Sequence, residues 1–274
     1  MLEFQLFRVK TFLSAQGLLY INKPTSAELL RIVVESRPTE ELRQGITWHI
    51  GNVENVNDTG IYFRFGKTTK ATFETFKDGV FVDQEFELSP YTHVLLDVEL
   101  GVMAIAKKAR LAPKIIGIAG RLSRLLNLSV PLREQGANIE IVELQDPESF
   151  IAHLRHAHSI LRFTMSFSRP NPFDANRDFV QPLQKCLTES NGDKGKVEMK
   201  GESLSSSLLE ELTRSAAATG DDASARLRTD PQVRAVTRYL KGKAVMIGEE
   251  DVGDMVKKKE LIQRIRKIYK RVRG

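Results

Sequence analysis

Nine bases lie between Lys257 and Arg273: Lys257, Lys258, Lys259, Arg264, Arg266, Lys267, Lys270, Arg271 and Arg273, against one acid, Glu260. The chain has 274 residues and a net charge of +6, so this stretch, at +8, leaves the other 257 residues at −2. A nearly neutral body with one cationic appendage is built to meet a polyanion: nucleic acid, an acidic membrane face or an acidic partner. A solvated basic face kept for solubility is the competing reading.

Other residue types raise narrower chemistries. His153, His156 and His158 form H-x-x-H-x-H. On a helix the first two share a face and the third points elsewhere, so a metal would need a further ligand the sequence does not identify. A helix C-terminus, where His⁺ meets the dipole, accounts for them more simply. Glu198-Met199-Lys200 matches the E-x-K half of a metal-dependent nuclease pattern, with Asp174, Asp178 or Asp193 as the missing acid. Alternating charge on the open face of an edge strand is the better reading. Gly117 and Gly120 fall within a predicted helix and suit close packing rather than phosphate binding. Cys186 is expected to be a small buried hydrophobe, and Asp97 and Glu99 a solvated hairpin tip. No P-loop, G-x-G-x-x-G after a strand or G-x-S-x-G is present. No catalytic residue, resident metal or cofactor is expected.

Composition narrows the class. Hydrophobic residues make up 41% and charged residues 28%, with 18 Gly, which excludes a disordered chain or a fibre. The single cysteine permits no internal disulfide and no Cys-rich zinc site. The N-terminus alternates apolar and polar residues and lacks the basic-then-apolar order of a secretory signal. The most apolar run, 94–106, is broken by Asp97 and Glu99, so no membrane span is expected. A cytoplasmic protein is the expectation.

The elements that must carry these residues read as strands first and alternating strands and helices later. Strands are predicted over 3–12, 46–56, 61–65, 72–76, 81–88, 93–98 and 102–107, with turns at Asn57-Asp58-Thr59-Gly60, Asp78-Gly79 and Glu99-Leu100-Gly101. Helical patterns occupy 26–35, 39–44 and 113–127. Pro131 to Gly136 reads as a boundary. Beyond it come a strand over 139–144, a helix to His156, a strand over 160–168 and the stiff turn Arg169-Pro170-Asn171-Pro172. A helix over 175–189, a strand over 196–200 and a helix opened by a Ser207-x-x-Glu210 capping box follow. Residues 219–231 read as loop, 233–247 as a hairpin about Gly242, and a helix begins at Gly253. The expectation is an α+β fold in two domains: a strand-rich 1–130 with a closing helix, and a β-α-β-type 137–274 ending in a basic amphipathic helix.

That last helix is the sharpest feature. At about 100° per residue, Leu261, Ile262, Ile268, Tyr269 and Val272 fall within about 60° of Ile265. Leu261, Ile265, Ile268 and Val272 also follow the 4-3-4 spacing of a short coiled-coil seam. The stripe is expected to dock on the body or on a second subunit, displaying the bases as a ridge.

With this order of elements, the chain resembles the RexA-like prophage exclusion family. The resemblance is carried by THVLLDVELGVMAIAKK leading into PKIIGIAGRLSRLLN, by NIEIVELQDPESFIAHLRHAHSILRFTMSFSRPNP, and by ANRDFVQPLQKCL and KVEMKG followed by a helix. It covers residues 90–215 and lies in element order and apolar pattern. It implies an intracellular, dimeric, DNA-binding component of phage defence and supplies no catalytic residues; a homodimer and a second defence-system protein are the expected partners. Three functions follow in order: a phosphate-dominated nucleic-acid binder, with duplex DNA ahead of RNA; a non-catalytic protein docking a partner through its last helix; and a metal-dependent nuclease.

Overall fold

The computed structural model describes residues 2–13, 24–168, 180–190, 192 and 194–274. Among these, seven helices and thirteen strands form an α+β fold with two sheets. The chain divides into two compact units, each assembled from three stretches. Unit 1 comprises Met1–Gln5, Thr11–Ile141 and Ile247–Gln263; unit 2 comprises Leu6–Lys10, Val142–Met246 and Arg264–Gly274.

Unit 1 is dominated by antiparallel strands: β2 (Thr39–Arg43), β3 (Ile46–Asn55), β4 (Gly60–Lys77), β5 (Val80–Leu88), β6 (Tyr91–Asp97) and β7 (Val102–Ala106). With β1 (Leu2–Leu13), β8 (Ala137–Glu143) and β13 (Met246–Glu249) they make a sheet of order β13-β1-β7-β6-β4-β3-β2, β5 pairing with β4 and β8 with β1. Its core is the alternating and fully apolar parts of these strands: Ile61, Phe63, Phe65, Val94, Leu96 and Val102 to Ala106 are all buried. Helix α1 (Ser26–Glu35) begins at a capping box, Thr25 and Glu28 each accepting the other's backbone N–H, and buries Leu29, Leu30, Val33 and Val34. Helix α2 (Ile115–Leu128) buries Ile118, Leu122, Leu125 and Leu126 and packs on β2 and β7. The turns anticipated at Asn57–Gly60 and Asp78-Gly79 are present. Asn57 Oδ1 accepts the N–H of Gly60 at 2.6 Å, and Asp78 and Gly79 both have positive φ, as a type I′ hairpin turn demands. The distal part of β4 with β5 is an exposed ribbon, its aromatic pairs Phe73–Phe86 and Phe76–Phe81 lying 5.8 and 4.9 Å apart.

Unit 2 is built on an antiparallel sheet of order β10-β9-β11-β12. These are β9 (Ser159–Ser168), β10 (Lys194–Lys200), β11 (Ala223–Arg228) and β12 (Val236–Tyr239). Helices α5 (Val180–Glu189) and α6 (Ser206–Thr219) pack on β9, where Phe163, Met165 and Phe167 are buried. Helix α4 (Glu148–Arg155) starts where Asp146 Oδ1 accepts the N–H of Glu148 at 3.0 Å. A buried ion pair sits beside the sheet: Lys10 Nζ donates to Asp221 Oδ1 at 2.8 Å and to Ser168 Oγ at 3.0 Å.

Several expectations are corrected. Residues 39–43 are strand and Gln44 is in a turn, in place of a helix over 39–44: six residues are too few to nucleate a helix alone, and Gly45 at φ 71° turns β2 back onto β3. Residues 131–136 are not a bare boundary, since Val130–Glu134 forms a short helix, α3, with Pro131 in its first turn. The loop assigned to 219–231 contains β11, a central strand whose buried residues, Ala223, Ala225 and Leu227, are mostly too small to announce one. The hairpin assigned to 233–247 does not form: β12 pairs with β11, and β13 joins the other sheet. The capping box of α6 does not form either, because Glu210 pairs with Arg155 at 2.7 Å and Ser205 is the N-cap. Cys186 is exposed on α5 rather than buried. Asp97 is buried, its Oδ1 accepting the N–H of Leu100 at 2.9 Å, rather than solvated at a tip. The turn 169–172 and the first residues of the helix assigned to 175–189 lie outside the described residues.

Candidate nucleic-acid interface

Helix α7 (Met255–Arg273) begins at Asp254, whose Oδ1 accepts the N–H of Lys257 at 2.7 Å. Its apolar stripe is consumed inside the chain: Leu261, Ile262, Ile265, Tyr269 and Val272 are all buried. In unit 1, Ile262 lies against Gly60, where an added Cβ would come within 3.1 Å of its Cγ1. In unit 2, the Tyr269 hydroxyl reaches Ala218 O at 3.4 Å and the Arg8 guanidinium lies 5.6 Å from its ring centre. The coiled-coil seam is therefore not free, since Leu261, Ile265 and Val272 are buried and Ile268 is half-buried.

The nine bases meet three fates. Lys258 turns inward. It stands about 20° from Ile265 on the helix, so its ammonium is carried into the apolar side. There it donates to Glu54 Oε2 at 2.6 Å and sits 4.2 Å from the Tyr62 ring centre. Lys257 is half-buried and 3.7 Å from Asp251 Oδ2, while Arg264 and Arg266 each already have an interaction within the chain. Lys259, Lys267, Lys270, Arg271 and Arg273 are exposed, and among the described residues they form no ion pair. These five occupy an arc of about 160° over a rise of about 21 Å, the axial length of about six base pairs.

Unit 2 offers a second cationic surface, which the charge count of the sequence did not reveal. On the four-stranded sheet, the residues that alternate with buried Phe163, Met165 and Phe167 include a group of exposed bases. Lys200, Arg162 and Arg226 stand in one row across β10, β9 and β11. Lys194 and Lys196 continue along β10, all five being exposed. Glu198 is the acid between them, 2.7 Å from Lys200 and 3.6 Å from Arg162. The hydrogen bond from Lys200, with Arg162 adding, holds its carboxyl below the usual range. The E-x-K pair thus belongs to the exposed alternation of an edge strand, as its sequence context suggests. Asp174, Asp178 and Asp193 lie outside the described residues. His156 caps α4, its Nδ1 2.7 Å from Ala152 O. Among the described residues no three His, Cys, Asp or Glu side chains form a group able to hold a metal.

Two polar clusters also escaped sequence reasoning. In unit 1 the Tyr62 hydroxyl lies 2.8 Å from His93 Nδ1, and Arg64 Nε donates to the Tyr62 oxygen at 3.3 Å. Burial lowers the His93 pKa, and the cations Arg64, Lys108 and Lys258 lower it further against an opposing Asp251. In unit 2, Ser168 beside Lys10 has the residue types of a Ser–Lys nucleophile pair. However, Lys10 Nζ donates to both Ser168 Oγ and Asp221 Oδ1, so it is placed as a donor to the hydroxyl oxygen and is shared with a carboxylate.

Compared with known proteins, the chain matches no family model and no curated sequence.

Proposed function

We propose that the chain binds nucleic acid, duplex DNA ahead of RNA, chiefly through phosphate contacts made by the outward bases of α7. One observation carries the reading: the helix spends its apolar stripe inside the chain and leaves Lys259, Lys267, Lys270, Arg271 and Arg273 exposed on its other side. A helix meant to dock a partner would keep that stripe available, and this one does not. The exposed bases of the unit 2 sheet, Lys194, Lys196, Lys200, Arg162 and Arg226, of which Lys200 and Arg162 share Glu198, add positive charge to the surface. Such contacts hold any sequence alike, because phosphates carry no base information. The resemblance to RexA-like proteins suggests a place for this binding in phage defence in the cytoplasm, as a homodimer beside a second defence protein. The stripe on α7 no longer argues for the homodimer, which rests on the resemblance alone.

The test uses substitutions, because removing α7 would strip Leu261, Ile262, Ile265, Tyr269 and Val272 from the core. Fluorescence anisotropy with a labelled duplex and a labelled RNA would be read for the parent and for Lys267→Glu/Lys270→Glu. Reversing two exposed charges should weaken binding to every duplex sequence by about tenfold or more. Unchanged affinity, with the fold intact by circular dichroism, would remove α7 from the interface.

A further inference from the structure

A second basic site lies in unit 1, beyond the nucleic-acid reading and independent of it. A cavity of about 460 Å³ opens between β2, β3, β4 and α2, and four bases line it: Arg43, Lys67, Arg121 and Arg124. No carboxylate lines it, and among the described residues none of the four is in an ion pair. Each comes from a different logic of the fold. Arg43 ends β2. Lys67 on β4 is the cross-strand partner of Trp48 on β3. Arg121 and Arg124 share one face of α2 with Gly117 and Gly120, at positions i, i+3, i+4 and i+7.

The wall is organised before any ligand arrives. Trp48 is buried, with one side stacked on Phe65 at 4.9 Å between ring centres. Lys67 Nζ and Arg121 Cζ lie 5.9 and 5.6 Å from the Trp48 ring centre. Arg121 Nη1 also donates to Gly117 O at 2.7 Å, which fixes the guanidinium and leaves its other N–H groups to be used. Gly120 does not serve close packing: a Cβ added there meets nothing within 4 Å. Its absent side chain keeps the mouth open. Leu42, Ile46 and Leu111 supply an apolar part to the lining.

Four cations converging without an acid repel one another until an anion joins them. Arginine forks match phosphate oxygens two at a time. The volume lies in the range of small-ligand sites, larger than a bare phosphate needs. We infer that this cavity binds a small organic phosphate of nucleotide size, its phosphates on Arg43, Lys67, Arg121 and Arg124 and its organic part against Leu42, Ile46 and Leu111.

The experiment is calorimetric titration of the full chain with AMP, ADP and ATP, with adenosine as the uncharged control. Binding is expected for the phosphates, tightening with phosphate number, and not for adenosine. Arg121→Gln/Arg124→Gln should weaken it by about tenfold or more. Gly120→Trp, whose Cβ meets nothing within 4 Å and whose ring would occupy the mouth, should abolish it. The α7 substitutions above should leave it unchanged, so failure here and failure of the nucleic-acid reading are separable. No heat from any of the three phosphates at millimolar concentration would overturn the inference, as would binding that survives both cavity variants. A short oligonucleotide that loses affinity in the cavity variants, with no free nucleotide bound, would also overturn it by giving the site to nucleic acid.

Discussion

The ridge on α7 and the cavity beneath α2 are made of the same two residue types and present them with opposite curvature. On α7, five bases project outward from one convex surface along about 21 Å. Around the cavity, four bases from strands and a helix point toward a common space of about 460 Å³. A convex row can follow an extended polyanion and cannot enclose a small one, whereas a concavity does the reverse. Lys258 supplies the third case, a base carried inward and neutralised by Glu54. Charge density in a sequence counts the bases, and only the fold reports the shape they present.

The comparison breaks first if the ridge is not anchored. Ile265 is fully buried, so Ile265→Asp should cost about 4 kcal/mol or more by urea unfolding, because an unpaired carboxylate enters an apolar site. A loss below 1 kcal/mol, by the same measure of about 4, would mean that the stripe is available to a partner after all. Glu54→Ala comes next. It leaves the Lys258 ammonium without its carboxylate, and a loss of about 2 kcal/mol is expected. Lys267→Ala, on the outward side of the same helix, should stay within about 0.5 kcal/mol. Equal costs for the two would erase the distinction between inward and outward bases.

A smaller effect follows pH. Burial lowers the pKa of both His93 and His49 from the ordinary 6.5. The unfolded chain then binds more protons than the folded one below that value, so stability is full above it and falls as pH drops through the window beneath it. The urea midpoint should decline from pH 7.5 toward pH 5, and less steeply in His93→Gln. Identical slopes in parent and variant would show that His93 is not the group responsible. The smallest change sharpens the cavity: Gly120→Ala should raise stability by about 0.5–1 kcal/mol, as a helix-interior glycine replaced where a Cβ meets nothing. A fall in stability would mean the wall is not open there.

Much of the fold was readable because local chemistry and tertiary role agree. Helix α1 runs over the residues its periodicity marks. Asn57–Gly60 and Asp78-Gly79 turn where their residue types allow positive φ or side-chain capping. Where the two disagree, reading failed. Thr39–Arg43 has a helical pattern and becomes strand because Gly45 folds it onto β3. β11 hides behind alanines, and the strands β12 and β13 follow each other in sequence but join different sheets. The ridge was legible as a run of charge, although counting its bases concealed that Lys258 shares the angle of the apolar stripe. The cavity was not legible at all. Arg43, Lys67 and Arg121 are far apart in sequence and meet only once β2, β4 and α2 are placed. The helix-face spacing of Gly117, Gly120, Arg121 and Arg124 was the one local trace of it.

The central claim is that the outward bases of α7 neutralise phosphates. It is tested most directly by the salt dependence of duplex binding for the parent and for a variant with Lys259, Lys267, Lys270, Arg271 and Arg273 all changed to Gln. Gln keeps helix propensity close to that of Lys and Arg, and none of the five is buried. If all five contact phosphates, the slope of log affinity against log salt should be shallower by about 4 to 5 in the variant. Affinity at a fixed moderate salt should fall by about a hundredfold or more. Equal affinity and equal slope for parent and variant, with both folded, would contradict the account.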